Sequence, residues 1–308
     1  MWCPVSWRAR GAAHAARPSW SWCRHGAARR SGCRHRPVGC TGADRRSRRS
    51  AISTLGCEPA AAGRTRRRGS GTVTAVGEDV IGTTVGDAVL VHDAPLPGGG
   101  GFWAQQVLVN VGNVAARPAG LSPLLAGALP VAGLTALQAL RQLGVDANTR
   151  LLITGASGVT AAIAVQLAAQ LGANVVATAA ALHVERLRRL GAEEVVDSHA
   201  TDWAVSVEGT FDAAFVAVYG TAAAAITLVH DGGRLCSITS DAQPSVRGIE
   251  STDLYVRPDA GQLSYLAELC AAGRLELDTS QVDLEAGPSV VQQVAAGQSG
   301  GRKYVLTF

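Results

Sequence analysis

The feature that most constrains this chain is a strand, a glycine turn and a helix in direct succession at residues 151–172. Residues 151–154, LLIT, form the short apolar run that is typical of a buried parallel strand. The turn follows as GASG, and a run of Ala, Val, Ile, Leu and Gln with helical spacing continues to Gly172. A second apolar run at residues 174–178 follows the helix, as a β-α-β unit requires. The sequence therefore predicts a parallel α/β sheet around this unit.

The glycine turn has the residue types that binding of a dinucleotide needs. Gly155 lets the chain turn sharply, and Gly158 lets the backbone approach a ligand at the helix N-terminus, where free N–H groups and the helix dipole favour a pyrophosphate. Ala161 stands at the third position of the motif and still permits close packing of helix on strand. We predict a cofactor site at Gly155, Ser157, Gly158 and Val159. The alternative is a β-α-β core without a ligand.

Length and charge divide the chain into unlike parts. A chain of 308 residues with 47% hydrophobic content can form two domains. No apolar run looks long and pure enough to span a bilayer, so no membrane partner is expected. Residues 1–70 carry 16 Arg and 2 acidic residues, whereas residues 71–308 carry 12 basic and 22 acidic residues. The first part also holds 5 of the 7 Cys, so we interpret the two parts separately.

Residues 1–68 have neither the period of a strand nor that of a helix, and we predict an aberrant, disordered, Arg-rich segment. A basic nucleic-acid-binding arm is open on charge alone. An organelle transit peptide would be Arg-rich but atypical in its Trp and Cys, and a secretory signal would need an apolar core. A zinc site is a further alternative, although its candidate ligands do not have the CxxC or HxxxH spacing that zinc sites usually show. These ligands would be Cys3, Cys23, His25, Cys33, His35 and Cys40. We favour a coding sequence read in the wrong frame, because GC-rich DNA read out of frame yields this composition.

Residues 69–122 predict a small β-barrel-like unit. Strands are expected at residues 72–76, 85–91 and 103–111, and glycine turns separate them. His92 and Asp93 end the second strand, where solvated polar residues are the preferred interpretation over a catalytic pair.

Five motifs in a fixed order make residues 69–308 resemble the medium-chain dehydrogenase/reductase superfamily. They are TVTAVGEDV, VGDAVLV, GGGGFWAQQVLV, AGALPVAGLTALQAL and the glycine turn. The most similar branch is the zinc-independent NADPH:quinone oxidoreductases, which also resemble polyketide enoyl reductases. The resemblance implies an α/β fold with a doubly wound parallel (Rossmann) sheet at residues 123–255. A smaller, N-terminally incomplete GroES-like β domain would occupy residues 69–122, and residues 256–308 would return to it.

The resemblance also explains our preference for a frame error. In the family a segment like PGxDVxGTV precedes the first of these strands, and an NPVD-like motif lies earlier. With one choice of codons, a shift of one base turns residues 63–69 into AGRDVA and residues 44–49 into TAGPVE. These peptides look like the two family motifs, and the DNA sequence decides the question.

The resemblance assigns further residues to the cofactor site. Thr135 matches a threonine near the nicotinamide, although a helix hydroxyl that bonds back to the backbone is the alternative. Gly233 and Ser237 would lie at the cofactor edge. Lys303 matches a run beside the cofactor, with a surface charge as the alternative. Where members often read VDTVGG, residues 216–220 read VAVYG, so a polar contact is expected to be lost.

The end of the strand at residues 174–178 favours NADP over NAD. NAD enzymes have a carboxylate here that holds the ribose 2′-hydroxyl, and this chain has none. Thr178, the last residue of that strand, is assigned to the cofactor site. His183 or Arg186 would then bind the 2′-phosphate; a solvated helix face is the alternative.

We therefore predict an NADPH-dependent oxidoreductase. No zinc-ligand set occurs in residues 69–308, which favours quinones or α,β-unsaturated carbonyls, since these substrates spread negative charge without a metal. Backbone or hydroxyl donors would hold the substrate oxygen, and solvent would supply the proton. No acid or base stands out, so no catalytic residue is assigned. The alternative is a catalytically impaired NADPH-binding protein, with or without a basic nucleic-acid-binding arm.

Two further expectations concern the cell and the assembly. Cys236 and Cys270 lie in apolar patterns and are predicted to be unpaired core thiols, which favours the cytoplasm. The Ala, Gly and Arg bias suggests a GC-rich bacterial gene, and members of the family are commonly dimers, so a homodimer is expected.

Overall fold

Five antiparallel strands form the first sheet. The computed structural model describes residues 49–55, 68–93, 102, 104–200 and 202–307. The strands are β1 (Arg49–Leu55), β2 (Arg68–Val76), β3 (Ala88–His92), β4 (Gln106–Asn110) and β5 (Val114–Ala116), in the order β4-β1-β2-β3-β5. In β4 the buried Val107 and Val109 alternate with exposed residues, so one face of that strand is apolar. A 3-10 helix, Val111–Asn113, replaces the end of the predicted third strand.

Strand β1 corrects the prediction that residues 1–68 are disordered throughout. It pairs with both β2 and β4 and therefore lies inside the sheet. Its sequence, RSAISTL, contains the β-branched Ile52 and Thr54 and no Gly or Pro, which suits a strand; the Arg-rich composition around it concealed this signal. Strand β2 begins at Arg68, the last residue of the segment that was predicted to be disordered. Apart from residues 49–55 and 68, the segment to which the frame-error interpretation applies lies outside the described residues.

Helix α1 (Pro123–Leu143) is the longest described helix. Ser122 caps its first turn by accepting a hydrogen bond from the Leu125 N–H at 3.2 Å, and Gly144 ends it in the left-handed conformation. The helix is long and apolar enough to cross a membrane, so the prediction that no run has these properties is wrong. Most of it is buried among other elements of the protein, however, as in the core helix of a globular fold.

Six parallel strands form the central sheet, which confirms the predicted α/β fold with a doubly wound sheet. Its order, β8-β7-β6-β9-β10-β11, places the reversal of strand order between β6 and β9. The strands are β6 (Arg150–Thr154), β7 (Asn174–Ala179), β8 (Glu194–Asp197), β9 (Phe211–Val216), β10 (Val229–Ser237) and β11 (Glu250–Asp253). The helices between them are α2 (Val159–Gln170), α3 (Val184–Arg189) and α4 (Ala222–Leu228).

Both faces of this sheet are covered. Leu151 and Ile153 of β6 pack in the core that contains residues of α1, α2 and α5, whereas Leu152 packs on the other face with residues of α4. A strand buried on both faces is mostly apolar, which is why residues 151–153 form a continuous hydrophobic run. The buried Thr154 that follows pairs its hydroxyl with that of Thr221 at 2.9 Å.

The last part of the chain contains α5 (Ala260–Ala271), β12 (Thr279–Asp283), α6 (Gly287–Ala295) and β13 (Lys303–Thr307). Strands β12 and β13 pair in parallel and contact α1. Helix α5 packs on α1 and also touches β3 and β5, so this segment returns to the antiparallel sheet. All described residues belong to one compact unit, and the predicted domain boundaries stay a prediction.

Candidate functional site

The candidate site lies at the carboxyl ends of β6, β7, β9 and β10. Ligands of open α/β sheets bind at this edge, where the strand order reverses. Here the reversal lies between β6 and β9, and the glycine turn follows β6 directly. The structure thus places the predicted turn at the edge of the sheet where its motif is expected to bind a ligand.

The turn needs glycine at position 155 for two reasons. Gly155 has a φ of +68°, a conformation that costs other residues about 1–2 kcal/mol. A side chain there would also overlap Val218, which lies directly over it in the loop after β9. The sequence motif predicts the first requirement, but only the fold reveals the second.

Thr178 supports this turn from β7. Its hydroxyl accepts a hydrogen bond from the Gly155 N–H at 3.2 Å, and its carbonyl accepts one from the Ala156 N–H at 2.9 Å. Thr178 is buried, and its contacts with the turn are these two hydrogen bonds from main-chain N–H groups.

Helix α2 begins at the turn without a side-chain cap among the described residues. Gly158 is its N-cap residue and Val159 its first residue, and both are half-buried, as is Ser157. Uncapped N–H groups at the positive end of a helix favour an anion. Ala161 is fully buried, as the close packing of α2 on the sheet requires.

The C-terminal segment closes against the turn. A side chain at Gly301 would overlap the carbonyl oxygen of Ser157, so this backbone approach also requires glycine. Lys303, two residues later, is half-buried at the start of β13, and its N–H donates to the Asp278 carbonyl at 2.8 Å. The structure therefore places the predicted Lys303 segment beside the turn, through Gly301.

Arg186 is better placed than His183 for a phosphate. Arg186 reaches back from α3 and donates a long hydrogen bond of 3.5 Å to the Ser157 carbonyl. Burial, and secondarily the charge of Arg186, lower the pKa of His183 below its ordinary value. A neutral imidazole binds a phosphate weakly, whereas arginine keeps its charge. Of the two predicted alternatives, Arg186 is therefore the stronger.

Ser237 lies at the predicted edge and belongs to a hydroxyl cluster around Asp241. The buried Ser237 hydroxyl donates to Asp241 Oδ1 at 2.6 Å, and that of Thr239 donates to the same oxygen at 2.7 Å. Burial alone would raise the pKa of Asp241, but hydrogen bonds from Ser237, Thr239 and Gly220 outweigh it and lower the pKa. Sequence reasoning missed Asp241; the signal was the run SITSD at the end of an apolar strand.

Two predicted residues lie elsewhere or are otherwise engaged. Gly233 packs against the Asp212 carbonyl at the amino ends of the strands, so the prediction that it lies at the cofactor edge is wrong. Gly233 lines a cavity of about 270 Å³ at this amino edge of the sheet. The error arose because β10 is long, and its two ends reach opposite edges.

Thr135 makes the contact that was the alternative to a cofactor role. Its hydroxyl donates to the Val131 carbonyl at 2.7 Å, one turn earlier in α1.

The two described cysteines are core thiols, as predicted. Cys236 and Cys270 are buried and unpaired, and burial raises the pKa of each thiol to about 12. Among the described residues no three His, Cys, Asp or Glu side chains lie close enough together to hold a metal ion.

Comparison with known families and proteins gives a consistent result. Residues 190–306 match the family described as zinc-binding dehydrogenase. The chain is 39% identical over 134 residues to a chloroplast envelope quinone oxidoreductase homolog of Arabidopsis thaliana, covering 42% of this chain and 40% of that protein. It is 30% identical over 181 residues to a 2-methylene-furan-3-one reductase of Solanum lycopersicum, covering 57% of this chain and 46% of that protein. The matches thus span less than half the length of these two relatives.

Solved structures show the same fold. A quinone oxidoreductase from Coxiella burnetii superposes with a TM-score of 0.74 at 23% identity, covering 84% of this chain and 90% of that one. An Escherichia coli quinone oxidoreductase complexed with NADPH superposes with a TM-score of 0.74 at 19% identity, covering 88% of this chain and 95% of that one.

Proposed function

We propose that the chain is an oxidoreductase of the medium-chain dehydrogenase/reductase superfamily that transfers hydride from NADPH to a quinone or an α,β-unsaturated carbonyl. Its similarity to quinone oxidoreductases supports this proposal. The observation that carries the proposal is the uncapped glycine turn at the strand-order reversal. There, main-chain N–H groups at the start of α2 can donate hydrogen bonds to a pyrophosphate.

The residues around the turn fit a dinucleotide phosphate. The main-chain N–H groups of Ser157 and Val159 would donate to the pyrophosphate. Gly155 and Gly158 would let the backbone approach it, since their own N–H groups donate inside the turn, to the Thr178 hydroxyl and the Gly155 carbonyl. Arg186 would bind the 2′-phosphate, since its guanidinium already lies over the Ser157 carbonyl. When bound, the reduced nicotinamide supplies the hydride.

The chain's own residues would orient a planar, electron-poor substrate. Tyr219 is 76% exposed and follows Val218 in the loop over the turn, so its ring is available to stack on a quinone. The described residues provide no ligand set for zinc, and we propose a reaction without metal assistance. Main-chain or hydroxyl donors at this edge would hold the developing negative charge, and solvent would supply the proton.

The test is oxidation of NADPH by the full chain, with 1,2-naphthoquinone as one acceptor and an enone as the other. We expect turnover with at least one acceptor and faster turnover with NADPH than with NADH. Absence of oxidation with every acceptor would contradict the proposal. Binding of NADPH without oxidation would favour the alternative, a catalytically impaired NADPH-binding protein.

The cellular setting is part of the proposal. The free thiols of Cys236 and Cys270 agree with a reducing compartment, and we propose the cytoplasm. A homodimer is proposed on the family resemblance, and sedimentation of the purified chain tests it.

A further inference from the structure

The loop at residues 217–221, which we term the β9 loop, lies directly over the glycine turn. Val218 of this loop occupies the space that a side chain at Gly155 would need. Val218 is 43% exposed and Tyr219 76% exposed, so both reach the surface at the edge where the cofactor would lie. The position of this loop therefore sets the space above the turn.

Hydrogen bonds from three directions hold the β9 loop. The Ala217 N–H donates to the Thr154 hydroxyl of β6 at 3.2 Å. Inside the loop, the Thr221 hydroxyl donates to the Val218 carbonyl at 2.8 Å. The Gly220 N–H donates to Asp241 Oδ2 at 2.7 Å, and this is the bond from the neighbouring loop.

The two carboxylate oxygens of Asp241 accept hydrogen bonds from different segments, one from the end of β10 and the residues after it and the other from the β9 loop. Oδ1 accepts from Ser237, which is fully buried at the end of β10, and from Thr239. Oδ2 alone reaches the Gly220 N–H of the β9 loop. A charged acceptor forms stronger hydrogen bonds than a neutral one, so Asp241 is a firm bridge from the rigid sheet to the loop.

Backbone strain supports a specific placement of this bridge. Ser240, the residue before Asp241, has a φ of +61°, which is unfavourable for a residue with a side chain. Such strain persists only where surrounding contacts hold it, and here the Ala242 N–H also donates to Asp253 Oδ1 at 3.1 Å. The loop after β10 is thus pinned on both sides of Asp241.

We propose that Asp241 is a positioning residue for the cofactor. By holding Gly220 it keeps Val218 seated over Gly155, and so sets the affinity of the site for NADPH without touching the reacting atoms. This inference rests on the proposed function.

The first experiment compares Asp241→Asn with Asp212→Asn in the full chain. Asp212 is a matched control, because its carboxylate also accepts from a main-chain N–H, that of Arg150, but at the amino edge of the sheet. We expect Asp241→Asn to speed hydrogen exchange at the Gly220 amide and to raise the KM for NADPH about tenfold, with kcat changed less than about threefold. Asp212→Asn should leave both values near those of the wild type.

A second variant, Gly220→Ala, tests whether Asp241 acts through Gly220. There is open space for the added methyl group, but the φ of +85° makes the position strained, so the loop itself should shift. The effects of the two substitutions on the KM for NADPH should be less than additive when combined. Full additivity would overturn the route through Gly220.

The outcomes separate this inference from the proposed function. Faster exchange at Gly220 with an unchanged KM would make Asp241 merely structural and would overturn the inference while NADPH oxidation stands. Failure of the wild type to bind NADPH would remove both.

Discussion

The side chain of Gln166 and the main chain of Glu276 form a reciprocal pair of hydrogen bonds. The Gln166 amide nitrogen donates to the Glu276 carbonyl at 3.0 Å, and its oxygen accepts from the Glu276 N–H at 2.7 Å. The pair joins α2, which begins at the glycine turn, to the segment that leads to β12. Gln166 is 6% exposed, so its side chain is shielded from water, whereas Glu276 itself is exposed.

Substitution of this glutamine should cost stability. In Gln166→Leu both main-chain groups of Glu276 lose their partner, so we expect the free energy of unfolding to fall by about 2 kcal/mol. Gln170, one turn later, makes similar bonds to Arg274 but is exposed, and Gln170→Leu should cost about 0.5 kcal/mol or less. Urea denaturation of both variants gives the comparison, and equal losses would contradict the role of burial.

Two glycines of the turn should respond differently to substitution by alanine. Gly155→Ala combines an unfavourable φ with overlap on Val218 and should lower the free energy of unfolding by about 2 kcal/mol or more. At Gly158 a side chain would meet only the Gly155 carbonyl at 3.4 Å, so Gly158→Ala should cost less than about 1 kcal/mol. Its main effect should be weaker NADPH binding, which fluorescence titration measures. A large loss of stability in Gly158→Ala would argue against this division.

Coenzyme preference should depend on Arg186 and not on its neighbour Arg188. Arg186→Ala removes the charge beside the turn and should raise the KM for NADPH about tenfold, while the KM for NADH changes little. Arg188, on the same helix, instead lies 3.6 Å from Glu185, and both side chains are largely exposed. Arg188→Ala is therefore the control and should leave the ratio of the KM for NADPH to the KM for NADH unchanged. An equal loss in both variants would point to general charge attraction.

The exposed ring of Tyr219 should affect the acceptor and not the coenzyme. Tyr219→Ala is expected to raise the KM for 1,2-naphthoquinone by about fivefold, since one stacking contact is lost, with the KM for NADPH unchanged. Tyr265→Ala, which removes a partly exposed ring from α5, is the matched control. Identical kinetics for both variants would exclude Tyr219 from the acceptor site.

His230 and Asp212 form a pair at the amino edge of the sheet, and this pair should make the free energy of unfolding depend on pH. The main-chain carbonyl of Asp231, and further the Asp212 carboxylate at 3.1 Å, raise the pKa of His230 above its ordinary value of 6.5. A raised folded pKa contributes stability that is fully present below pH 6.5 and is lost as the pH rises through the folded pKa. The difference in unfolding free energy between wild type and His230→Gln should therefore shrink from pH 6 to pH 9. A difference that stays constant over this range contradicts the pair.

Much of the fold follows from local sequence patterns. LLITGASG and the apolar run after it predict β6, the turn, α2 and β7, because a strand buried on both faces is mostly apolar and a left-handed turn needs glycine. The lack of an acid at the end of β7 is likewise a property of sequence alone. Strand β1 was missed because composition averaged over an Arg-rich stretch hides seven residues of strand pattern.

Only the tertiary structure decided which side chains meet at the site. Asp241 and Gly220 are 21 residues apart and become partners because β9 and β10 are adjacent in the sheet. Gly301 reaches Ser157 for a similar reason, since β13 and α2 both pack around α1. Gly233 and Ser237 lie on one strand, yet they reach opposite edges of the sheet. Residue types and local spacing therefore determined the turn and its chemistry, whereas contacts between distant segments depend on packing, which no local pattern encodes.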